Sequence, residues 1–265
     1  MTWDPVPDPI TAFLDRLPTA PGALLALDYD GTLAPFRAAR ERATPLAGIP
    51  EVLERIRRET TTRLVIVSGR RAADVATLLG LVPAPEIWGV HGWERRLPDG
   101  TGDRPEPPAA AAAVLERARQ SLVAQGFGEL LDVKGAGLAL HWRGLEPSHA
   151  AAARTAAERV PETVPGFDES VQLLPVNHGL EFLASGRDKG YVVRALLAET
   201  SGAAAYVGDD TTDEDAFAAL RGRGLGILVA AEDRPTHATG RLRSPDDVRT
   251  FLERWCGAAP RAGHP

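Results

Sequence analysis

Short apolar runs alternate with longer amphipathic segments along the chain, and this alternation is the feature that most restricts its fold. Residues 23–27, 64–67 and 87–90 are apolar runs of strand length. Between them, residues 50–59 and 72–79 carry apolar side chains at helical spacing. Strands that alternate with helices are typical of a parallel sheet covered by helices. We therefore expect an α/β fold with a parallel-sheet core.

A loop-forming segment interrupts this pattern. Residues 98–108, PDGTGDRPEPP, are dense in Pro, Gly and Asp, which predicts a linker or a long loop. The elements predicted over residues 109–183 then follow the order helix, strand, strand, helix, strand, strand, which indicates a small α+β module. The α/β alternation resumes near residue 189. We expect a core domain in two parts, 1–101 and 187–265, with an α+β domain of residues 102–186 inserted between them.

The composition and net charge of the chain limit the kinds of molecule that it is expected to bind. The 265 residues are 44% hydrophobic and 25% charged, as in ordinary globular proteins, and no segment approaches the roughly 20 apolar residues that span a bilayer. The net charge of -6 argues against nucleic acid, which requires a clustered basic surface. The opening segment does not resemble a secretory leader, and the single Cys256 cannot form an internal disulfide. We expect a cytoplasmic monomer that binds a small molecule, with no nucleic acid and no membrane.

Polar residues follow three of the predicted strands at the point where each strand ends. They are residues 28–32 (DYDGT), 68–70 (SGR) and 208–210 (GDD). In an open parallel sheet, ligands bind in the crevice beyond the carboxyl ends of the strands. These three segments are therefore expected to converge on one site.

The first segment predicts covalent catalysis by a carboxylate. Asp28 can attack phosphorus and form an acyl phosphate, which divides a difficult hydrolysis into two easier steps. Asp30 lies two residues later and can act as general acid and then general base. Gly31 permits the turn that brings both carboxylates to the same rim.

The other segments predict the groups that hold the phosphate and a cation. Asp209 and Asp210 provide the oxygen ligands that Mg²⁺ prefers. Lys189 would neutralise charge on the phosphoryl oxygens, and Thr32, Ser68 and Gly69 would hydrogen-bond them.

Each of these motifs also has a purely structural interpretation. Ser68 could cap the helix that follows it, and Lys189 could be a surface residue that opens a helix. The acids of residues 209–215 could simply complement the positive end of a helix. Five acids in those seven positions exceed what capping requires, which favours a metal ligand among them.

Four motifs in order resemble those of the haloacid-dehalogenase-like phosphatases: DYDGTL at 28–33, VSGR at 67–70, DKG at 188–190 and GDDTTDED at 208–215. The last motif, together with HGWE at 91–94, is similar to the trehalose-6-phosphate phosphatase family. The resemblance implies a Rossmann-like core with an inserted α+β cap. It also implies Mg²⁺ held by Asp28, the backbone carbonyl of Asp30, and Asp209.

The resemblance extends to residues that would contact the sugar. The segment DVKGAGLALHWRG is similar to a cap segment of that family, with a lysine followed by His-x-Arg. At Leu183 and Ala184 the chain departs from the Arg-Pro that usually follows the family's glutamate. A solvated sheet face is the alternative interpretation of the cap residues, because polar alternation is typical of one. The candidate substrate contacts are Arg70, His91, Glu94, Lys134, His141, Arg143 and Glu181.

The resemblance implies hydrolysis of trehalose 6-phosphate to trehalose and phosphate through an aspartyl phosphate. A phosphatase for another phosphorylated disaccharide or pseudo-disaccharide is the nearest alternative, and a phosphomutase uses the same intermediate. A signalling receiver also accepts phosphate on an aspartate, but Asp30 and the inserted domain argue against it. A catalytically dead sugar-phosphate sensor is disfavoured because every expected catalytic residue is present.

Overall fold

The computed structural model describes residues 8–19, 22–37 and 42–262. The chain divides into two compact units, of which the first comprises Met1–Asp103 and Asp188–Pro265 and the second comprises Arg104–Arg187. The second unit is thus inserted into the sequence of the first. The inserted unit begins at Arg104 and ends at Arg187, compared with the expected residues 102 and 186.

The described residues form twelve strands and ten α-helices. The strands are β1 (Leu24–Asp28), β2 (Arg63–Val67), β3 (Glu86–Gly89), β4 (Glu94–Arg96), β5 (Gly102–Asp103), β6 (Leu131–Val133), β7 (Gly137–His141), β8 (Val171–Val176), β9 (Gly179–Ala184), β10 (Ala204–Gly208), β11 (Leu225–Val229) and β12 (Gly240–Leu242). The helices are α1 (Pro9–Leu14), α2 (Ile49–Glu59), α3 (Ala72–Leu79), α4 (Ala109–Ala124), α5 (Pro147–Glu158), α6 (Val160–Thr163), α7 (Phe167–Ser170), α8 (Lys189–Ala198), α9 (Glu214–Leu220) and α10 (Pro245–Ala258).

The first unit contains an eight-stranded sheet in the order β12-β11-β10-β1-β2-β3-β4-β5. Pairs from β12 to β3 are parallel, and β4 and β5 extend the edge in antiparallel fashion. The predicted α/β fold with a mostly parallel core sheet is confirmed. Because β1 lies between β10 and β2 and runs parallel to both, the carboxyl ends of these three strands meet at one edge.

Helices cover both faces of this sheet. Leu25 and Leu27 of β1 belong to an apolar cluster with residues of α1, α2, α3 and α10, whereas Leu24 and Ala26 belong to a second cluster with α8 and α9. Successive side chains of a strand point to opposite faces, so the all-apolar run of β1 reflects burial on both sides. Cys256 is a free thiol buried in the first cluster.

The second unit is an antiparallel sheet, ordered β6-β7-β9-β8, with helices α4 to α7. All six residues of β9 are buried, and Phe182 packs edge-on against Phe167 with ring centroids 5.8 Å apart. Helix α5 ends at Glu158, and the short helix α6 begins at Val160. Pro161 lies in the first turn of α6, where its missing N–H is tolerated, but it cannot continue a helix.

Several short elements were not predicted from the sequence. They include α1, β4, β5 and β12, each of six residues or fewer. Strand β5 falls inside the segment expected to be a loop. It was not predicted because its Gly-Asp sequence carries no strand signal. Among the described residues, every helix is too short or too polar to cross a membrane.

Candidate active site

Asp28 is the last residue of β1 and is only 4% exposed. The chain turns directly after it, and the backbone oxygen of Tyr29 accepts hydrogen bonds from the N–H groups of Leu33 and Ala34. Gly31 has a φ of 82°, and a β-carbon there would overlap the carboxylate of Asp209. Glycine at this position therefore permits both the turn and the approach of a second carboxylate.

Lys189 opens α8 and lies beside Asp28. Its Nζ is 2.7 Å from Asp28 Oδ1 and 2.7 Å from Asp213 Oδ1, and its side chain is 4% exposed. The surface interpretation of Lys189 is therefore wrong. Burial alone would lower the pKa of Lys189, but Asp213 and Asp28 outweigh it and raise the pKa. The ammonium is thus held charged next to the candidate nucleophile.

Asp213 belongs to the site but is not among the catalytic, metal-binding or substrate-binding residues predicted from the sequence. It is fully buried, and its Oδ1 accepts from the Tyr206 hydroxyl at 2.5 Å as well as from Lys189. Its Oδ2 accepts from the backbone N–H groups of Asp209 and Asp210 at 3.1 and 2.9 Å. Both oxygens are therefore occupied, and Asp213 acts as the organiser of the loop. Asp213 belongs to the acidic motif, but the sequence does not distinguish it from the other acids of residues 209–215.

Three carboxylates come together beyond β1 and β10. Oxygens of Asp28, Asp209 and Asp213 lie within 4.8 Å of one another. Burial, followed by the charges of Asp28 and Asp213, raises the pKa of Asp209 to about 10. Burial also raises the pKa of Asp28 to about 7, although Lys189 acts in the opposite direction. One ammonium does not balance three carboxylates, so a further cation is needed to keep them all ionised.

The cluster fits a hard divalent cation. Among the described residues, Asp209 Oδ1 is a buried oxygen with no hydrogen-bond partner, and such an atom requires an explanation. Asp28 and Asp209 would hold the ion, since both oxygens of Asp213 are already bonded. Carboxylate oxygens in this small number are what Mg²⁺ uses while it keeps several waters.

Asp210 is not one of these three carboxylates. Its Oδ1 accepts from the backbone N–H of Thr211 at 2.6 Å, so it caps the short 3₁₀ turn of residues 211–213. The capping interpretation therefore describes its side chain in this structure. A metal contact from Asp210 stays a prediction.

The segment after β2 adjoins the first motif. Arg70 donates from Nε to Asp30 Oδ2 at 2.6 Å and from Nη2 to Asp30 Oδ1 at 2.7 Å. Ser68 is 1% exposed, and its Oγ accepts from the N–H of Arg70. The helix that follows has Arg71 at its N-cap, so the interpretation of Ser68 as a cap is wrong.

Further predicted residues surround this segment. A β-carbon at Gly69 would lie 2.6 Å from His91 Nε2, so the absence of a side chain lets the imidazole approach the backbone. His91 is 4% exposed and has a φ of 52°. Glu94 accepts from the N–H of Ala72 at 2.8 Å and thereby satisfies a first-turn amide of α3. Thr32 Oγ1 is buried without a partner among the described residues, which leaves it available to a ligand.

Four of the predicted substrate contacts, Lys134, His141, Arg143 and Glu181, lie in the second unit. Lys134 Nζ is 2.9 Å from Glu181 Oε1, and the two side chains are 1% and 3% exposed. The interpretation as a solvated sheet face is therefore wrong for these two residues. His141 ends β7, and Arg143 donates to Asn177 Oδ1 at 2.5 Å.

A family model described as Trehalose-phosphatase matches residues 26–248. The chain belongs to the trehalose-phosphatase family. It is 34% identical over 254 residues to the trehalose-phosphate phosphatase of Mycobacterium ulcerans, a match that covers 89% of this chain and 62% of that protein. It is 34% identical over 245 residues to that of Mycobacterium tuberculosis strain H37Rv, covering 86% of this chain and 59% of the relative. The chain thus spans about three fifths of these relatives.

Solved structures of family members share the fold. The C-terminal domain of Candida albicans trehalose-6-phosphate phosphatase matches with a TM-score of 0.79 at 18% identity, covering 97% of this chain and 100% of that one. The Aspergillus fumigatus trehalose-6-phosphate phosphatase in crystal form 3 matches with a TM-score of 0.64 at 23% identity, covering 94% and 98%. The resemblance to the trehalose-6-phosphate phosphatase family that the motifs of this chain indicated is therefore confirmed.

The structure brings several of the site residues predicted for the first unit of this chain to one edge of the sheet. Asp28, Lys189 and Asp209 meet there, and Asp30 lies two residues beyond Asp28 in contact with Arg70. This arrangement places a buried carboxylate beside a buried ammonium, with a second carboxylate two residues away and a cluster of acids of the kind that can hold a cation.

Proposed function

We propose that this chain is a Mg²⁺-dependent phosphatase that hydrolyses trehalose 6-phosphate to trehalose and phosphate through an aspartyl phosphate. The observation that carries the proposal is the bridge from Lys189 to Asp28 and Asp213 beside the unsatisfied oxygen of Asp209. Membership of the trehalose-phosphatase family supports the substrate.

In the first step, an oxygen of Asp28 attacks phosphorus as the ester bond to the sugar breaks, and Asp30 gives its proton to the departing oxygen. In the second step, Asp30 takes a proton from water, which attacks phosphorus and releases phosphate from Asp28. Lys189 balances charge on the phosphoryl oxygens, and Thr32, Ser68 and the N–H of Gly69 provide hydrogen bonds. Mg²⁺, when held by Asp28, the Asp30 carbonyl and Asp209, supplies charge that lets a phosphate dianion approach a carboxylate.

We propose that the inserted unit selects the sugar. The phosphate and metal groups of the first unit recognise no hydroxyl pattern, whereas Lys134, His141, Arg143 and Glu181 offer charged and hydrogen-bonding groups of the kind that a disaccharide needs. In the first unit, Arg70, His91 and Glu94 are the further candidates. A second candidate function is hydrolysis of another phosphorylated disaccharide, which the departure at Leu183 and Ala184 favours.

We also propose that the enzyme is a cytoplasmic monomer. The free, buried thiol of Cys256 is compatible with a reducing compartment. Sedimentation of the purified chain checks the oligomeric state.

Phosphate release from a panel of substrates tests the proposal. The panel contains trehalose 6-phosphate, other disaccharide phosphates, monosaccharide phosphates and a small aryl phosphate, each with Mg²⁺. The highest kcat/KM is expected for trehalose 6-phosphate. A higher value for another disaccharide phosphate would select the second candidate, and transfer of phosphate to a second sugar position without release would indicate a phosphomutase.

A further inference from the structure

The loop between β11 and β12, residues 230–239, contacts the acidic loop that follows β10. Arg234 Nη2 is 3.0 Å from the backbone oxygen of Asp210 and 3.3 Å from that of Asp209. Its Nη1 is 2.5 Å from Glu214 Oε1. One guanidinium thus binds two successive carbonyls and a carboxylate, and the planar fork of arginine suits such a set.

The peptide groups of the acidic loop are consequently held from two directions. Asp213 Oδ2 accepts both N–H groups, of Asp209 and Asp210, while Arg234 donates to both carbonyls. The backbone that carries the Asp209 side chain therefore has little freedom to rotate. The same residue presents the buried, unpartnered Oδ1 that would face the cation.

Glu214 holds Arg234 in this position. Its Oε2 accepts from the N–H of His237 at 2.7 Å and from Thr236 Oγ1 at 3.2 Å, while its Oε1 receives Arg234. The side chains of Arg234 and Glu214 are 27% and 21% exposed. The loop of residues 230–239 thus supplies Arg234 and also holds, through Thr236 and His237, the Glu214 carboxylate that Arg234 contacts.

We propose that Arg234 is a positioning residue for cation binding: it fixes the backbone of Asp209 and Asp210, and so orients the Asp209 carboxylate toward the ion. This inference rests on the proposed function, because it assumes that Asp209 is a metal ligand. Nothing in the motifs points to Arg234, which lies 25 residues beyond Asp209 along the chain.

The direction in which cation affinity changes when Arg234 is replaced distinguishes a positioning role from a purely electrostatic one. A guanidinium near a cation repels it, so removing that charge alone would strengthen cation binding. Loss of positioning would weaken binding, as does loss of the outer groups that orient metal ligands in other proteins, where affinity falls by about 10 to 100-fold. Arg234→Lys keeps the charge but loses the fork, and therefore isolates the geometric contribution.

The test is calorimetric titration of the whole chain with Mn²⁺ and with Mg²⁺, in the absence of substrate. We expect Arg234→Gln and Arg234→Lys each to bind both ions at least about 10-fold more weakly than the unaltered chain. Arg223→Gln is the matched control, because Arg223 also donates to a backbone oxygen, that of Leu197 at 3.4 Å. The metal concentration that gives half-maximal phosphatase activity should rise by the same factor, while kcat at saturating Mg²⁺ stays within about 3-fold of the unaltered value.

Equal or tighter metal binding by either Arg234 variant would overturn the inference, as would an equal loss in Arg223→Gln. If Arg234→Gln does not fold, as judged by urea denaturation without metal, Arg234→Lys decides the question. Absence of metal binding by the unaltered chain would instead overturn the proposed function. The two failures are therefore distinguishable.

Discussion

Arg70 and Asp30 form a fork in which two guanidinium nitrogens meet the two carboxylate oxygens at 2.6 and 2.7 Å. The Arg70 side chain is 7% exposed, whereas that of Asp30 is 25% exposed. Bidentate pairing of this kind fixes the orientation of a carboxylate as well as its charge. The sequence predicts proton transfer by Asp30 and a substrate contact from Arg70. The pairing adds a second interpretation of Arg70, in which it orients Asp30.

We expect Arg70→Ala to slow hydrolysis of both trehalose 6-phosphate and a small aryl phosphate by about 10 to 100-fold, because Asp30 loses its orientation. A double variant of Asp30→Asn with Arg70→Ala should be no slower than Asp30→Asn alone, since coupled residues are not additive. Steady-state kinetics on both substrates check this. A loss confined to the sugar phosphate would assign Arg70 to sugar binding instead.

Tyr206 provides a separate test of the Lys189 bridge. Its hydroxyl bonds the Asp213 oxygen that also receives Lys189, so we expect Tyr206→Phe to reduce kcat and to lower the free energy of unfolding by about 1.5 to 3 kcal/mol. Tyr29→Phe is the control, because the Tyr29 hydroxyl donates to the uncharged backbone oxygen of Ala43. It should lower the free energy of unfolding by about 1 kcal/mol and leave kcat unchanged. Equal effects on kcat would exclude a role through Asp213.

The sequence predicted the core strands and the residues at their ends because an uninterrupted apolar run followed by acids is a strong local signal. Strand β1 and helix α3 lie within one residue of their expected limits. The short edge strands β4 and β5 were not predicted, since their Glu, Arg and Gly residues acquire strand geometry only by pairing with β3 and with each other.

Contacts between distant side chains were the part of the site that the sequence could not supply. Nothing in the acidic motif indicates that Asp213 is the residue on which Lys189, Tyr206 and two loop amides converge. The pairing of Lys134 with Glu181 likewise joins residues 47 positions apart, one directly after β6 and the other in β9, in a sheet whose register is set by tertiary packing.

Metal removal is expected to abolish activity, because Asp28, Asp209 and a phosphate dianion cannot gather without a cation. Mn²⁺ should partly restore turnover and Ca²⁺ should inhibit it, since the larger ion takes more ligands. At a Mg²⁺ concentration of about 100 times its Kd, the free energy of unfolding should rise by about 2.7 kcal/mol. Denaturation with and without Mg²⁺ measures this gain, and Asp209→Asn should eliminate most of it. Full turnover in a chelated preparation would contradict the account.

The buried pair of Lys134 and Glu181 requires a design that separates stability from sugar recognition. Replacing one partner alone breaks a buried ion pair of 2.9 Å, which costs about 3 to 5 kcal/mol, whereas an apolar pair of similar volume is often tolerated. We therefore compare a double variant, Lys134→Met with Glu181→Leu, on two substrates. Its kcat/KM for the sugar phosphate should fall about 10 to 1,000-fold, as expected for hydrogen bonds to charged groups, while that for an aryl phosphate stays near the unaltered value. Unchanged efficiency on both substrates would assign the pair to folding alone.

Covalent capture of phosphate on Asp28 tests the assignment of Asp28 as the nucleophile. The enzyme is mixed with trehalose 6-phosphate labelled at phosphorus, quenched with acid within milliseconds, digested and mapped by mass spectrometry. Asp30→Asn should turn over about 100-fold or more slowly, and Asp28→Asn should neither turn over nor acquire label. We expect the label on the peptide that contains Asp28, at that residue. Label on any other residue, or continued hydrolysis by Asp28→Asn, would rule out Asp28 as the nucleophile.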